Sequence, residues 1–174
     1  MNNELGKLKD SKQLSELQRN AWFKWIKEKK IAYAVSRVYP RGIERLNISQ
    51  AANLAATRAV QKIISDWPLA TSAEVFLDGG LYLNSLVARC LPAGRQGYSL
   101  VAKTIIKGDE KIPAISLASI VAKVTRDRFM NKLHKKYPQY GFDRHKGYGT
   151  ATHLVALKKF GPSEVHRATF LEKL

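Results

Sequence analysis

Apolar positions along the chain repeat with a period near 3.6 in some stretches and in short continuous runs in others, and the alternation predicts an α/β protein. Leu17, Ala21, Trp22, Trp25 and Ile26 recur at helical spacing after Ser15, and Gln18 completes a capping-box pattern, so a surface helix is predicted over about 15–29. The β-branched and aromatic run IAYAVSRVY (31–39), stopped by Pro40, predicts a strand. Asn47 with Gln50 resembles a second N-cap, and Ile48, Ala51, Ala52, Ala55, Ala59 and Ile63 form a small-residue face suited to close packing on a sheet. Short buried strands are predicted at 73–77 and 99–106, separated by the exposed loop RCLPAGRQG (89–97). Pro113 opens a long helical pattern carried by Ile115, Leu117, Ala118, Val121, Ala122, Val124, Phe129 and Leu133, which Pro138 stops. A last helix over about 151–160 is closed by Gly161 and Pro162.

Length and composition bound this picture. The 174 residues, 45% hydrophobic and 25% charged, suit one globular domain with a real core. Thirty Lys and Arg against fourteen Asp and Glu give a formal charge of +16, spread along the chain, which favours nucleic acid as partner over a merely soluble basic protein or one bound to anionic membrane. Lone Cys90 excludes an intrachain disulfide framework, and His134, His145, His153 and His166 lack zinc-ligand spacing. The N-terminus has no apolar signal-type core, and no run of roughly 18 apolar residues is present, so a cytoplasmic protein without membrane contact is expected.

Two acids change the reading. Asp78 closes the run AEVFLD, and Asp109 follows SLVAKTIIKG. Carboxylates after strands in a basic chain suit a hard divalent cation acting on a polyanion, with Mg²⁺ or Mn²⁺ the fitting ions. The residues alone allow blander roles: Asp78 as a turn acid before two glycines, Asp109 as a helix cap.

The stretches LKDSKQLS (8–15), VFLDGG (75–80), KGDEKIPAISLASIVAKVTRDRFM (107–130), YPQYGFDRHKGYGTATH (137–153) and GPSEVHRATF (161–170) together resemble the ribonuclease HII family, over about Leu8 to Phe170. The resemblance implies an RNase H-like fold, a mixed sheet flanked by helices with a helical C-terminal part. It also implies an endonuclease that cleaves RNA/DNA hybrids, or duplex DNA at embedded ribonucleotides, leaving 5′-phosphate and 3′-hydroxyl ends with Mg²⁺ or Mn²⁺. Carried over by motif, Asp78 and Asp109 are catalytic, metal-holding carboxylates. Tyr148 of HKGYGT is the tyrosine that stacks on the sugar at an RNA–DNA junction, where an aromatic between glycines is otherwise a partly buried anchor. Lys146 and Lys12 are the foremost candidates for phosphate contact, ahead of Lys107 and Lys123. Asp127, between arginines in mid-helix, reads as a structural ion-pair acid. His145 suits either a hydrogen bond to phosphate or a structural role, and His166 is read as holding the C-terminal segment.

The chain departs from the family pattern at its start. A DEAGRG-like strand, which supplies the first two catalytic acids and the Gly-Arg-Gly sensor of the 2′-hydroxyl, does not occur in MNNELGKLKDSK. Asp10 matches the non-catalytic acid of the family's DSK motif. A single, N-terminally incomplete domain over 1–174 is therefore expected, with weak or single metal occupancy and reduced discrimination of RNA from DNA. Exposed sheet edges and association are expected from a missing strand, whereas a complete fold would be a monomer. The alternative to an active enzyme is a catalytically impaired fragment that still binds duplex.

Overall fold

Helix α1 (Glu16–Glu28) starts where the sequence predicts: Ser15 Oγ accepts the Gln18 N–H at 3.2 Å and Gln18 Oε1 accepts the Ser15 N–H at 3.0 Å, a reciprocal capping box. It buries Phe23 and Ile26. The computed structural model describes residues 5–66, 72–83 and 99–171. The predicted loop 89–97, with Cys90, lies outside these residues.

Residues 31–39 are not a strand. A strand needs a neighbouring ladder, and among the described residues this run pairs with none. It is held instead by contacts with α1: the Ile31 N–H donates to the Ile26 carbonyl at 3.0 Å, and Tyr33 meets Phe23 edge-on at 5.7 Å. Pro40 does not merely end this run. It opens a further helix, α2 (Pro40–Leu46), as a first-turn proline whose missing N–H costs nothing.

Helix α3 (Ile48–Asp66) is capped by Asn47, whose Oδ1 accepts the Gln50 N–H at 3.0 Å. Its buried face differs from the predicted alanine stripe. Ile48 is 63% exposed, while Asn53 and Thr57, one turn apart, are almost fully buried with Ala51 and Ile64. Asn53 Oδ1 accepts the Tyr82 N–H at 3.0 Å, anchoring the chain just beyond the first strand, while its buried Nδ2 finds no hydrogen-bond partner among the described residues.

Strands β1 (Ser72–Asp78) and β2 (Ser99–Ile105) pair in parallel, from Ser72 opposite Ser99 to Asp78 opposite Ile105. Residues 101–104 of β2 are exposed on both faces. After β2 come the single turn α4 (Gly108–Lys111) and the long helix α5 (Pro113–Lys136), which buries Ile115, Ile120, Val121, Val124 and Met130. Ile26 and Ile120 are sealed almost completely, each worth about 1.5–3 kcal/mol of transfer free energy. A 3₁₀ turn (Pro138–Tyr140), α6 (Phe142–His145), α7 (Ala151–Phe160) and α8 (Ala168–Leu171) complete the described chain. Gly161 ends α7 with φ 70°, as its position predicts.

The chain divides into two compact units, Met1–Val121 and Ala122–Leu174. The first carries the strands and α1 to α4. The second packs Met130, Tyr140, Phe142 and Ala156 into a core flanked by Phe129, Leu133, Tyr137, Leu157 and Val165. This is the predicted α/β class with a helical C-terminal part. No helix among the described residues is long and apolar enough to cross a membrane.

Candidate active site

The parallel register sets the first unit's acids. Asp78 is the last residue of β1 and lies opposite Ile105, the last of β2, so the segment leaving β2 arrives beside Asp78. The turn after Asp78 is tight: the Leu81 N–H donates to the Asp78 carbonyl at 3.1 Å, with Gly80 at φ 84°. At Gly79 a Cβ would stand 3.3 Å from the Ile106 Cα, so a side chain would press on the second strand's exit. Thr104 Oγ1 and Asn53 then pin Leu81 and Tyr82 by hydrogen bonds of 2.8 and 3.0 Å.

On the other side Lys107 adopts the left-handed conformation (φ 54°, ψ 46°), a position that costs a non-glycine residue about 1 kcal/mol or more. That bend delivers the Gly108 N–H to Asp78 Oδ1 at 2.9 Å. Gly108 is buried, and a Cβ there would sit 2.5 Å from Ile115 Cδ1 and 3.6 Å from the Asp78 Cα. Asp109 is the next residue. Its backbone carbonyl accepts the Ser116 hydroxyl at 2.6 Å, tying α4 to the start of α5.

Charge on neighbouring groups is felt at Asp109. Desolvation pushes the Asp109 carboxyl above its ordinary range, the negative charges of Asp10 and Asp78 push it further, and Lys12 opposes them. Asp10, whose motif marks it as non-catalytic, thus belongs to the same charge neighbourhood. It is held there by local bonds: Asp10 Oδ1 accepts the Lys12 N–H at 3.1 Å, and Ser11 Oγ lies 2.7 Å from Ser119 Oγ on α5. The signal available in the sequence is the short DSK turn itself, whose Asp hydrogen-bonds its own backbone two residues on.

The donors are hard oxygens of the kind Mg²⁺ and Mn²⁺ select, and their crowded negative charge is what a cation relieves. Among the described residues no three His, Cys, Asp or Glu side chains come together as a metal-holding group.

The second unit holds the other candidates. Tyr148 is 61% exposed, not a buried anchor, with Lys123 Nζ 5.8 Å from its ring centroid. The Lys123 ammonium also pairs with buried Asp127 at 2.9 Å, which makes Asp127 the ion-pair acid its context predicts. Lys146, at φ 50°, turns its ammonium onto Asn131 Oδ1 and the Asp143 carbonyl, so its charge is engaged within the unit. Lys12 keeps an exposed side chain. His145 is buried, with its ring on the Tyr140 carbonyl and the Gly147 N–H, which removes it from phosphate contact. His166 braces the C-terminal segment through Ser163, whose N–H donates to its Nδ1 at 3.0 Å.

Comparison with known proteins gives one consistent answer. The family model described as Ribonuclease HII matches residues 2–173. Ribonuclease HII of Polynucleobacter asymbioticus is 43% identical over 171 residues, spanning 97% of this chain and 79% of that protein. Ribonuclease HII of Delftia acidovorans is 42% identical over 168 residues, spanning 97% and 64%. A chain from the PCNA:RNase HII complex of Archaeoglobus fulgidus matches with a TM-score of 0.60 at 22% identity, covering 95% of this chain and 78% of that one, a likeness of fold.

Proposed function

The chain belongs to the ribonuclease HII family of ribonuclease H type endonucleases, and on that ground we propose that it cleaves RNA/DNA hybrids and duplex DNA at embedded ribonucleotides, leaving 5′-phosphate and 3′-hydroxyl ends. The observation that supports this reading is that Asp78 ends β1 and its Oδ1 accepts the N–H of Gly108, the residue just before Asp109. Asp78 and Asp109 would hold Mg²⁺ or Mn²⁺, which when bound activates water and offsets charge developing on the scissile phosphate. The Gly108 N–H fixes one Asp78 oxygen and so orients the carboxylate. Lys12, whose charge is felt at Asp109, would draw the phosphate toward the acids. The exposed Tyr148 ring would stack on the sugar at the RNA–DNA junction, with Lys123 beside it favouring the adjacent backbone. The formal charge of +16 supplies the general attraction for duplex.

Cleavage of a duplex with one embedded ribonucleotide, in Mn²⁺ or Mg²⁺, tests the reading beside an Asp78→Asn control. Cutting 5′ of the ribonucleotide by the parent alone is the expected result. A duplex that is bound and never cut would refute the hydrolytic assignment and leave a binding protein.

A further inference from the structure

Three imidazoles sit together in the second unit. His145 on α6 and His153 on α7 stack at 4.2 Å with their planes 15° apart, and His153 Nε2 lies 3.2 Å from His166 Nε2. His145 and His153 are buried, and His166 is half-buried. Their partners are mostly backbone groups, and these settle which nitrogen carries each hydrogen. The Ser163 N–H can only donate, so His166 Nδ1 is bare and its Nε2 bears the proton. The Tyr148 carbonyl, 2.9 Å from His153 Nδ1, can only accept, so His153 is protonated there and its Nε2 receives the His166 N–H. The Gly147 N–H, 3.2 Å from His145 Nδ1, leaves that nitrogen bare and puts its proton on Nε2, which donates to the Tyr140 carbonyl at 2.6 Å. One arrangement of three neutral rings satisfies every partner.

Two of the three rings grip the segment that presents Tyr148. His145 accepts the N–H of Gly147, the residue just before Tyr148, and His153 donates to the Tyr148 carbonyl, which also accepts the Thr150 N–H at 2.8 Å. The Tyr148 N–H adds a bond of 2.9 Å to the His145 carbonyl. We propose that His153 is a positioning residue for Tyr148: its Nδ1–H, held in that tautomer by His166, fixes the Tyr148 carbonyl and so aims the exposed ring at nucleic acid. This rests on the reading of Tyr148 as a nucleic-acid contact.

Protonation of His153 opposes the relay: a charged ring would put a hydrogen on Nε2, which already receives the His166 N–H. The charged groups on neighbouring elements do not relieve this. Asp143 of α6 faces His134 of α5 at 3.2 Å, and Glu164 is taken by Lys136 at 2.8 Å and by the Tyr137 hydroxyl. Arg126 of α5 donates to the Lys146 carbonyl, and Arg144 and Arg167 carry positive charge. Burial and the neighbouring imidazoles hold His153 and His166 below their ordinary pKa.

The test is affinity for a fluorescein-labelled duplex with one embedded ribonucleotide, measured by anisotropy between pH 8 and pH 5.5. The parent, Tyr148→Ala, His153→Asn and His153→Phe are compared. Asn keeps an N–H where His153 donates, whereas Phe keeps the ring and loses the bond. Expected at pH 8 is a loss of about three- to tenfold for His153→Phe, one hydrogen bond's worth, with His153→Asn close to the parent. The parent should also weaken on acidification, although added positive charge alone would strengthen its hold on a polyanion. Parent-like binding by His153→Phe beside a weakened Tyr148→Ala overturns the proposal alone. Parent-like binding by Tyr148→Ala overturns the Tyr148 reading and the proposal with it. Imidazole ¹⁵N spectra of the parent at pH 8 stand apart from any variant's folding: His153 protonated at Nε2, or charged, overturns the relay.

Discussion

Asp78 allows chemistry to be separated from folding with two substitutions. Its Oδ1 accepts the N–H of buried Gly108 at 2.9 Å. Asp78→Ala deletes the acceptor and leaves that N–H without a partner, at a cost of about 1–3 kcal/mol. Asp78→Asn keeps an oxygen in place, so the loss is the difference between a charged and a neutral acceptor, about 1 kcal/mol. Part of that returns, because Asp78 is one of the negative charges crowding Asp109. With a urea dependence near 2 kcal/mol per molar, the midpoint should fall by about 0.5–1.5 M for the alanine variant and by less than about 0.5 M for the asparagine variant. Mn²⁺ affinity, read by electron paramagnetic resonance, should drop about tenfold or more in both, and cleavage should disappear in both. Equal midpoints for the two variants would refute the hydrogen-bond argument. An asparagine variant that binds Mn²⁺ and cleaves like the parent would remove Asp78 from the chemistry.

Gly108→Ala should destabilise by about 1–2 kcal/mol in thermal or urea unfolding, since its Cβ meets Ile115 Cδ1 at 2.5 Å and the repacking outweighs the gain in backbone entropy; a more stable variant would contradict the crowding. Stability should fall as pH drops below 6.5. His153 and His166 titrate below that value when folded, so the unfolded chain takes up protons first, and a rise in the urea midpoint between pH 7 and 5.5 would refute this sign. The raised Asp109 acts oppositely, favouring the fold as pH falls, in a window that extends upward from the ordinary value of 3.8. Duplex affinity should decline steeply with added salt as Lys and Arg contacts release counterions, and salt-independent binding would refute the charge argument.

Much of the local structure is legible in the sequence because it depends on near neighbours. The Ser15–Gln18 box, the Asn47 cap, the Pro113 start and the Gly161 stop are short-range devices, and each lies where its residues predict. Strand character at 31–39 misleads, because β-branched and aromatic residues report a fit to a pleated surface and not the presence of a partner strand. The Asn53 and Thr57 face is invisible to hydrophobic patterning, since a buried polar residue is justified only by a partner far away in sequence, here the Tyr82 N–H. His145 cannot be sorted between phosphate contact and a structural role until its backbone partners are known.

The family, the α/β class, the charge that favours nucleic acid, Asp78 at the end of β1 and Asp109 a few residues after β2 are all readable from the residues, because they reside in composition, short motifs and local periodicity. Other features exist only in the folded chain: Asp10 and Lys12 share the field of Asp109, Gly108 orients Asp78, Lys146 is engaged internally, and the His145 and His153 rings bond the backbone on either side of Tyr148. Each of these rests on groups brought together through space, where distance and desolvation set the strength of a charge or a hydrogen bond, and no local pattern encodes those quantities.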